Sequence, residues 1–260
     1  MLGLLHRTFS SHELESFPAE KDEVSSDKLE RVEEYTGEII ESEVLITLLC
    51  CTGAKEGGDI TCHFSDKERF EEFIGLLNSM GLNCFVDFNP DMTEEENLRD
   101  QFGDQVSDQL NSRLEDSEIR THIFMTKKEG YSLDFVRKLL FYRNLSVRYH
   151  RLYGEFLGFP EQNIRCFTYH QRSKYLRKFF SLIGRGEPDL ISDWEMAERH
   201  EEELSNEEFE NLRAFVYCMY PDQEGSLEKA LERSEEKRRM LEAYGINVQK
   251  YVNLFTDWDT

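Results

Sequence analysis

The sequence predicts an α+β fold: a small mixed β-sheet with helices in the N-terminal half and an all-helical C-terminal half. Three observations lead there. Short β-rich apolar runs, "EVLITLLCC", "DITCHF", "LNCFVDF" and "RTHIFMTK", all fall before residue 130. Between and after them, apolar residues recur at helical spacing behind capping residues. From Ser132 onward no stretch alternates as a strand does. The chain has 260 residues, 39% of them hydrophobic and 12% aromatic, enough for one large core or two small ones.

Taken in order, residues 1–27 are polar and read as a loose arm. A short helix follows over "DKLERVEEYTG", capped by Ser26 or Asp27. "EVLITLLCC", the turn "TGAKEGG" and "DITCHF" read as a hairpin. Ser65 or Asp66 caps "DKERFEEFIGLLNSM", whose Phe70, Phe73, Ile74 and Leu77 share one face, and Gly81 closes it. "LNCFVDF" is a third strand and "RTHIFMTK" a fourth. Between them Thr93 opens a polar helix to about Glu115 through a capping-box pattern. These elements make a domain over 28–130.

The remainder, 131–260, reads as a helical domain. Ser132 caps a long helix reaching Gly158, and Pro160 starts another. Helices follow over about 173–184 and 188–204. Ser205, with Glu208 three residues on, has the capping-box pattern. A charged helix over 227–244, with an i,i+4 Glu235–Arg239 pair, ends at Gly245.

The charge is strongly acidic, 53 Asp+Glu against 31 Lys+Arg, a net −22. Such a surface disfavours nucleic acid and anionic membrane as general partners. No run approaches the roughly 18 apolar residues that cross a bilayer, and the N-terminus lacks a leader pattern, so a cytoplasmic protein with no membrane association is expected. Six cysteines form no C-x-x-C pair and read as small hydrophobes in a reducing compartment. Cys62, His63 and Cys84 form a metal trio only if their strands adjoin. Their spacing matches no zinc pattern, so no metal site is assigned.

One segment breaks the acidity. Between Arg137 and Arg185 stand eleven Lys/Arg and two Glu. On a helical wheel, Phe135, Leu139, Tyr142, Tyr149, Tyr153 and Phe156 fall on one side. Arg137, Arg148, Arg151 and Glu155 fall on the other. The pattern repeats with Tyr175 and Phe179 opposed to Lys174, Arg177 and Lys178. Aromatics turned to a core argue against a base-stacking platform, while cations turned outward make a basic patch. Self-neutralisation by the chain's own carboxylates, such as those of "ERHEEELSNEEFE", is the plainest fate of that charge.

The expected function is therefore non-catalytic: a binding or adaptor protein using Arg148, Arg151, Arg165, Arg172, Lys174, Arg177 and Lys178, with no cofactor. Its partner is an acidic protein, met by bidentate Arg contacts, or a nucleic-acid backbone. Phosphate-loop, dinucleotide, H-E-x-x-H and G-x-S-x-G patterns are all absent. The alternative is a metal-dependent phosphoesterase or nuclease in which Asp87 and Asp91 of "VDFNPDM" hold Mg²⁺ at a strand end.

"RLYGEFLGFPEQNIRCF" carries an L-G-[YF]-P-E segment that resembles one in uncharacterised archaeal proteins, notably haloarchaeal ones. The tail from "LSNEEFENL" is similar in cadence to theirs. Gln162 and Asn163 stand where some of those relatives have a Cys pair, so a metal role does not carry over. Read locally, Gly154 permits close helix approach, Gly158 ends a helix and Pro160 starts the next. Leu157 and Phe159 are expected to be buried at the bend, with Arg151 and Arg165 presented together.

Overall fold

The computed structural model describes residues 13–20, 23–88, 119–142, 147–161, 163–165, 168, 204–205, 208, 212, 215 and 226–253. These divide into two compact units, one of residues 13–138 with 240–247, the other of 139–239 with 248–253 as far as described.

The first unit is an antiparallel sheet of four strands in the order β1-β3-β4-β2. β1 is Leu14–Phe17, β2 Gly57–Phe64, β3 Asn83–Asp87 and β4 Ile119–Thr126. Three helices belong to it: α1, Ser26–Glu33; α2, Glu41–Cys51; and α3, Lys67–Ser79. The expected α+β character holds, but the sheet is antiparallel throughout and not of mixed direction.

Alternation divides the strands into two faces. Ile60, Cys62 and Phe64 of β2, Ile123 and Met125 of β4, and Cys84 and Val86 of β3 are all buried on the helix side. Phe64 meets Phe70 and Phe73 of α3 at ring-centroid distances of 5.5 and 5.6 Å, and Phe17 meets Phe70 edge-on at 5.9 Å. Arg69 lies 3.8 Å over the Tyr35 ring while its Nε donates to Glu38 at 2.8 Å. That pair holds α3 to the turn after α1.

Two expectations are corrected here. "EVLITLLCC" is helical, not the first arm of a hairpin. Val44 N–H donates to the Ile40 carbonyl at 3.0 Å, and the hydroxyls of Thr47 and Thr52 donate back to the Glu43 and Leu48 carbonyls. Seven of its eleven residues are buried, all round the helix, which erases the periodicity that separates helix from strand. Gly58 makes room for it: a Cβ there would stand 2.7 Å from Ile46 Cγ2 and 2.9 Å from Cys50 Sγ. The second correction concerns the supposed arm, where Leu14–Phe17 pairs along β3 as an edge strand. Its polar residues conceal it, because β1 buries little on either side.

Other boundaries fall close to expectation. Ser25, one residue earlier than read, caps α1 by accepting from Lys28 N–H, and Asp66 caps α3 by accepting from Arg69 N–H at 2.8 Å. Gly81 follows α3 with φ +88°, a backbone only glycine adopts freely. The polar helix read from Thr93 lies outside the described residues.

Beyond β4 every described element is helical: α4, Leu133–Tyr142; α5, Val147–Phe156; α6, Ser226–Glu242; and α7, Val248–Val252. The helix read as continuous to Gly158 is described as α4 and α5. Glu161 and Asn163–Arg165 are helical after Pro160. The Ser205–Glu208 capping box is present, each side chain serving the other's N–H, at 3.0 and 3.4 Å. Glu235 of α6 pairs with both Arg238 and Arg239. The segments read as helices over 173–184 and 188–204 lie outside the described residues. No described helix is long and apolar enough to cross a membrane.

Candidate functional site

The basic corner is built by packing at one glycine. A Cβ on Gly154 of α5 would stand 2.8 Å from Ile164 Cγ1, so the turn after Pro160 lies directly against the helix. The link is tight: Leu157 N–H donates to Tyr153, Phe159 N–H to Gly154, and Gly158 takes φ +75°. Phe156, Leu157 and Ile164 are buried; Phe159, expected to join them, is half-buried.

This packing turns the cations outward. Arg148, Arg151 and Arg165 are all exposed. Arg151 Nε donates to Glu155 at 3.0 Å, and Arg165 Nη2 donates to Glu161 at 2.7 Å, each pair spanning one turn of its own helix. Both pairs remain in water, where such contacts hold their side chains weakly and salt screens them. The two paired guanidinium groups described are therefore met by close neighbours along the chain. Arg172, Lys174, Arg177 and Lys178 lie outside the described residues.

The aromatic side of α5 differs in part from the wheel. Phe156 is fully buried, but Tyr149 and Tyr153 are half-exposed and stack on each other at 5.3 Å, 12° from parallel. His150 beside them is half-buried, and desolvation holds its imidazole below the usual range.

The strand-end carboxylate of the alternative reading has a different setting from the one expected. Asp87 is fully buried, opposite His122 of β4 and Leu14 of β1 in register. Asp91 lies outside the described residues. The metal trio is also dispersed. β4 separates β2 from β3, so Cys62 pairs with Thr121 and Cys84 with Met125, while His63 points to the opposite face from Cys62. Burial pushes the Cys62 and Cys84 thiols well up, away from the thiolate that binds metal. Among the described residues no group of three or more His, Cys, Asp or Glu is placed to hold a metal ion.

Sequence reading missed a second polar cluster, on the sheet face opposite α1–α3, where Phe85 and Phe124 are also buried. His122, 4% exposed, has its Nε2 at 2.9 Å from Asp59 Oδ2. Glu43 reaches over the sheet edge from α2, its Oε1 accepting the Thr61 N–H at 3.0 Å. Desolvation pushes the Glu43 carboxyl up to about 8. The Thr61 N–H opposes this, the Asp59 charge adds to it, and His122 opposes it again. Alternation in "DITCHF" and "RTHIFMT" does put Asp59 and His122 on polar faces. Only register brings them together, and the strand reading of α2 hid Glu43.

No family model, curated protein or solved structure matches this chain.

Proposed function

We propose that this chain is a non-catalytic cytoplasmic binding or adaptor protein whose recognition surface is the basic corner carrying Arg148, Arg151 and Arg165. Arg172, Lys174, Arg177 and Lys178, outside the described residues, belong to the same basic segment of the sequence. The resemblance of its L-G-F-P-E segment to haloarchaeal proteins suggests a salt-adapted source.

The observation that carries this reading is the exposure of all three guanidinium groups on a chain of net charge −22. Arg151 and Arg165, each held in water by a weak local pair, are available for bidentate contact with an incoming carboxylate. Between the two partner classes, a protein fits better than a nucleic-acid backbone. Glu155 and Glu161 stand at 3.0 and 2.7 Å from the guanidinium nitrogens of Arg151 and Arg165, so a phosphate strand would meet negative charge at both of these cations. A protein surface of mixed sign can satisfy both members of each pair.

Affinity purification from the native host, at native salt and with nuclease treatment, tests this. A protein retained by the wild-type chain and lost from the Arg148→Glu/Arg151→Glu/Arg165→Glu variant supports it. Equal retention by both overturns the corner as the surface. Loss of all retained material on nuclease treatment transfers the assignment to nucleic acid.

A further inference from the structure

The two edges of the sheet are finished differently. At β2 the outward N–H groups of Thr61 and His63 are met by Glu43 Oε1 at 3.0 Å and by the Glu38 carbonyl at 2.9 Å. At β1 the pairing pattern turns a row of amides outward. Phe88 N–H donates to the Glu13 carbonyl at 3.0 Å, which places Glu13, and with it Glu15 and Phe17, in the bonded set facing β3. Leu14 and Ser16 therefore turn their N–H and carbonyl groups away from the sheet. Neither N–H has a hydrogen-bond partner among the described residues, and Glu15 and Ser16 are exposed.

This edge is held firmly from behind. Phe17 packs on Phe70 at 5.9 Å, and Ala19 N–H donates to Asn83 Oδ1 at 3.1 Å. Glu20 and Glu23 N–H donate to the Asn78 and Ser79 carbonyls at 3.1 and 3.3 Å. A fixed edge spares an incoming strand the cost of ordering its template. Pro18 has no N–H, so the outward row of donors ends at Ser16. Such a row accepts an extended segment through main-chain hydrogen bonds.

The side chains on β1 select which segment. By alternation Glu13 and Glu15 lie on the same side of the sheet as Phe17, and both are exposed. A second copy paired antiparallel through β1 would set these carboxylates against those of its twin, and like charges across a strand pair destabilise it. Lys or Arg at alternate positions of an incoming strand makes opposite-charge pairs instead. On the other side half-buried Leu14 offers an apolar contact to the residue between the cations.

We propose that the β1 edge docks an extended basic segment of another protein, one with Lys or Arg at alternate positions around an apolar residue. This surface is separate from the basic corner, opposite to it in sign, and stands or falls without it.

The probe is the fluorescein-labelled peptide Thr-Lys-Val-Lys-Val-Lys-Thr, amidated at its C-terminus and added to the full chain. Binding is read by anisotropy, and amide hydrogen exchange at Leu14 and Ser16 is read in parallel. The peptide is expected to bind and to slow exchange at both amides. Ser16→Pro removes one edge N–H without changing the charge, and it should weaken binding by about tenfold. Glu13→Lys/Glu15→Lys should lose this peptide and bind its counterpart with Glu in place of Lys. Equal binding by wild type and Ser16→Pro would assign the attraction to general surface charge and overturn the edge. An unchanged peptide preference in the Lys variant would overturn the selection by Glu13 and Glu15. Exchange at Leu14 and Ser16 that slows with protein concentration alone would give the edge to a second copy and overturn the choice of partner.

Discussion

Gly154 and Ile164 are packed so closely that the helix carrying one and the turn carrying the other have no room for a single methyl group between them: a Cβ on residue 154 would lie 2.8 Å from Ile164 Cγ1 and 3.3 Å from Cδ1. The exposed positions of Arg151 and Arg165 depend on this contact, since it fixes the corner on which both stand.

Gly154→Ala should therefore destabilise the corner even though alanine favours helix over glycine by about 1 kcal/mol. Forcing a methyl into a filled contact costs about 1–3 kcal/mol, so a net loss is expected. Thermal denaturation checks the sign. Adding Ile164→Val, which removes the Cδ1 methyl, should recover part of the loss, and the non-additivity in a double-mutant cycle would assign it to this contact.

A stronger effect of the same kind is expected in the first unit. Gly58→Ala drives a methyl to within 2.7 Å of Ile46 Cγ2 and 2.9 Å of Cys50 Sγ, neither a flexible chain end. The loss should lie toward the upper end of about 1–3 kcal/mol, and Ile46→Ala in the same chain should reverse part of it. Chemical denaturation midpoints of the single and double variants decide the matter. If α2 were a strand, as its composition suggests, Gly58 would have no helix above it and the substitution would be mild.

That helix shows where the sequence was legible and where it was not. α3 could be read from residue types alone, because Asp66, the Phe70–Leu77 stripe and Gly81 each obey a local rule. The same holds for α1 and for the Ser205–Glu208 cap. α2 could not, since a segment buried on every side has no polar face to mark its period. β1 escaped for the opposite reason, as it is polar and becomes a strand only because β3 offers an edge. Exposure of Arg148 and Arg151 followed from the wheel and that of Arg165 from the bend at Pro160, but the pairing of Arg151 with Glu155 and of Arg165 with Glu161 is a matter of rotamers. The Asp59–His122 contact spans 63 positions and depends on register, which no local pattern encodes.

Glu43 predicts a pH dependence of global stability. The folded chain holds the Glu43 proton up to about pH 8, whereas the unfolded chain releases it near the ordinary glutamate value. Raising pH through that window removes protons from the unfolded chain first, so the free energy of unfolding falls and then levels off above pH 8. Glu43→Gln should remove this slope. Urea denaturation at pH 5, 7 and 9 should show the variant gaining on the wild type, by an amount on the order of a few kcal/mol, as pH rises. A constant difference across the three would mean that Glu43 titrates alike in both states.

The central claim is that Arg148, Arg151 and Arg165 serve a partner and not the fold. Its most direct test is to measure, on one preparation of the Arg148→Glu/Arg151→Glu/Arg165→Glu variant, both the thermal midpoint and the fraction of partner retained. The account predicts a midpoint within about 3 °C of wild type, as for surface changes worth little to stability, with retention lost. A midpoint that drops sharply while retention persists would contradict it.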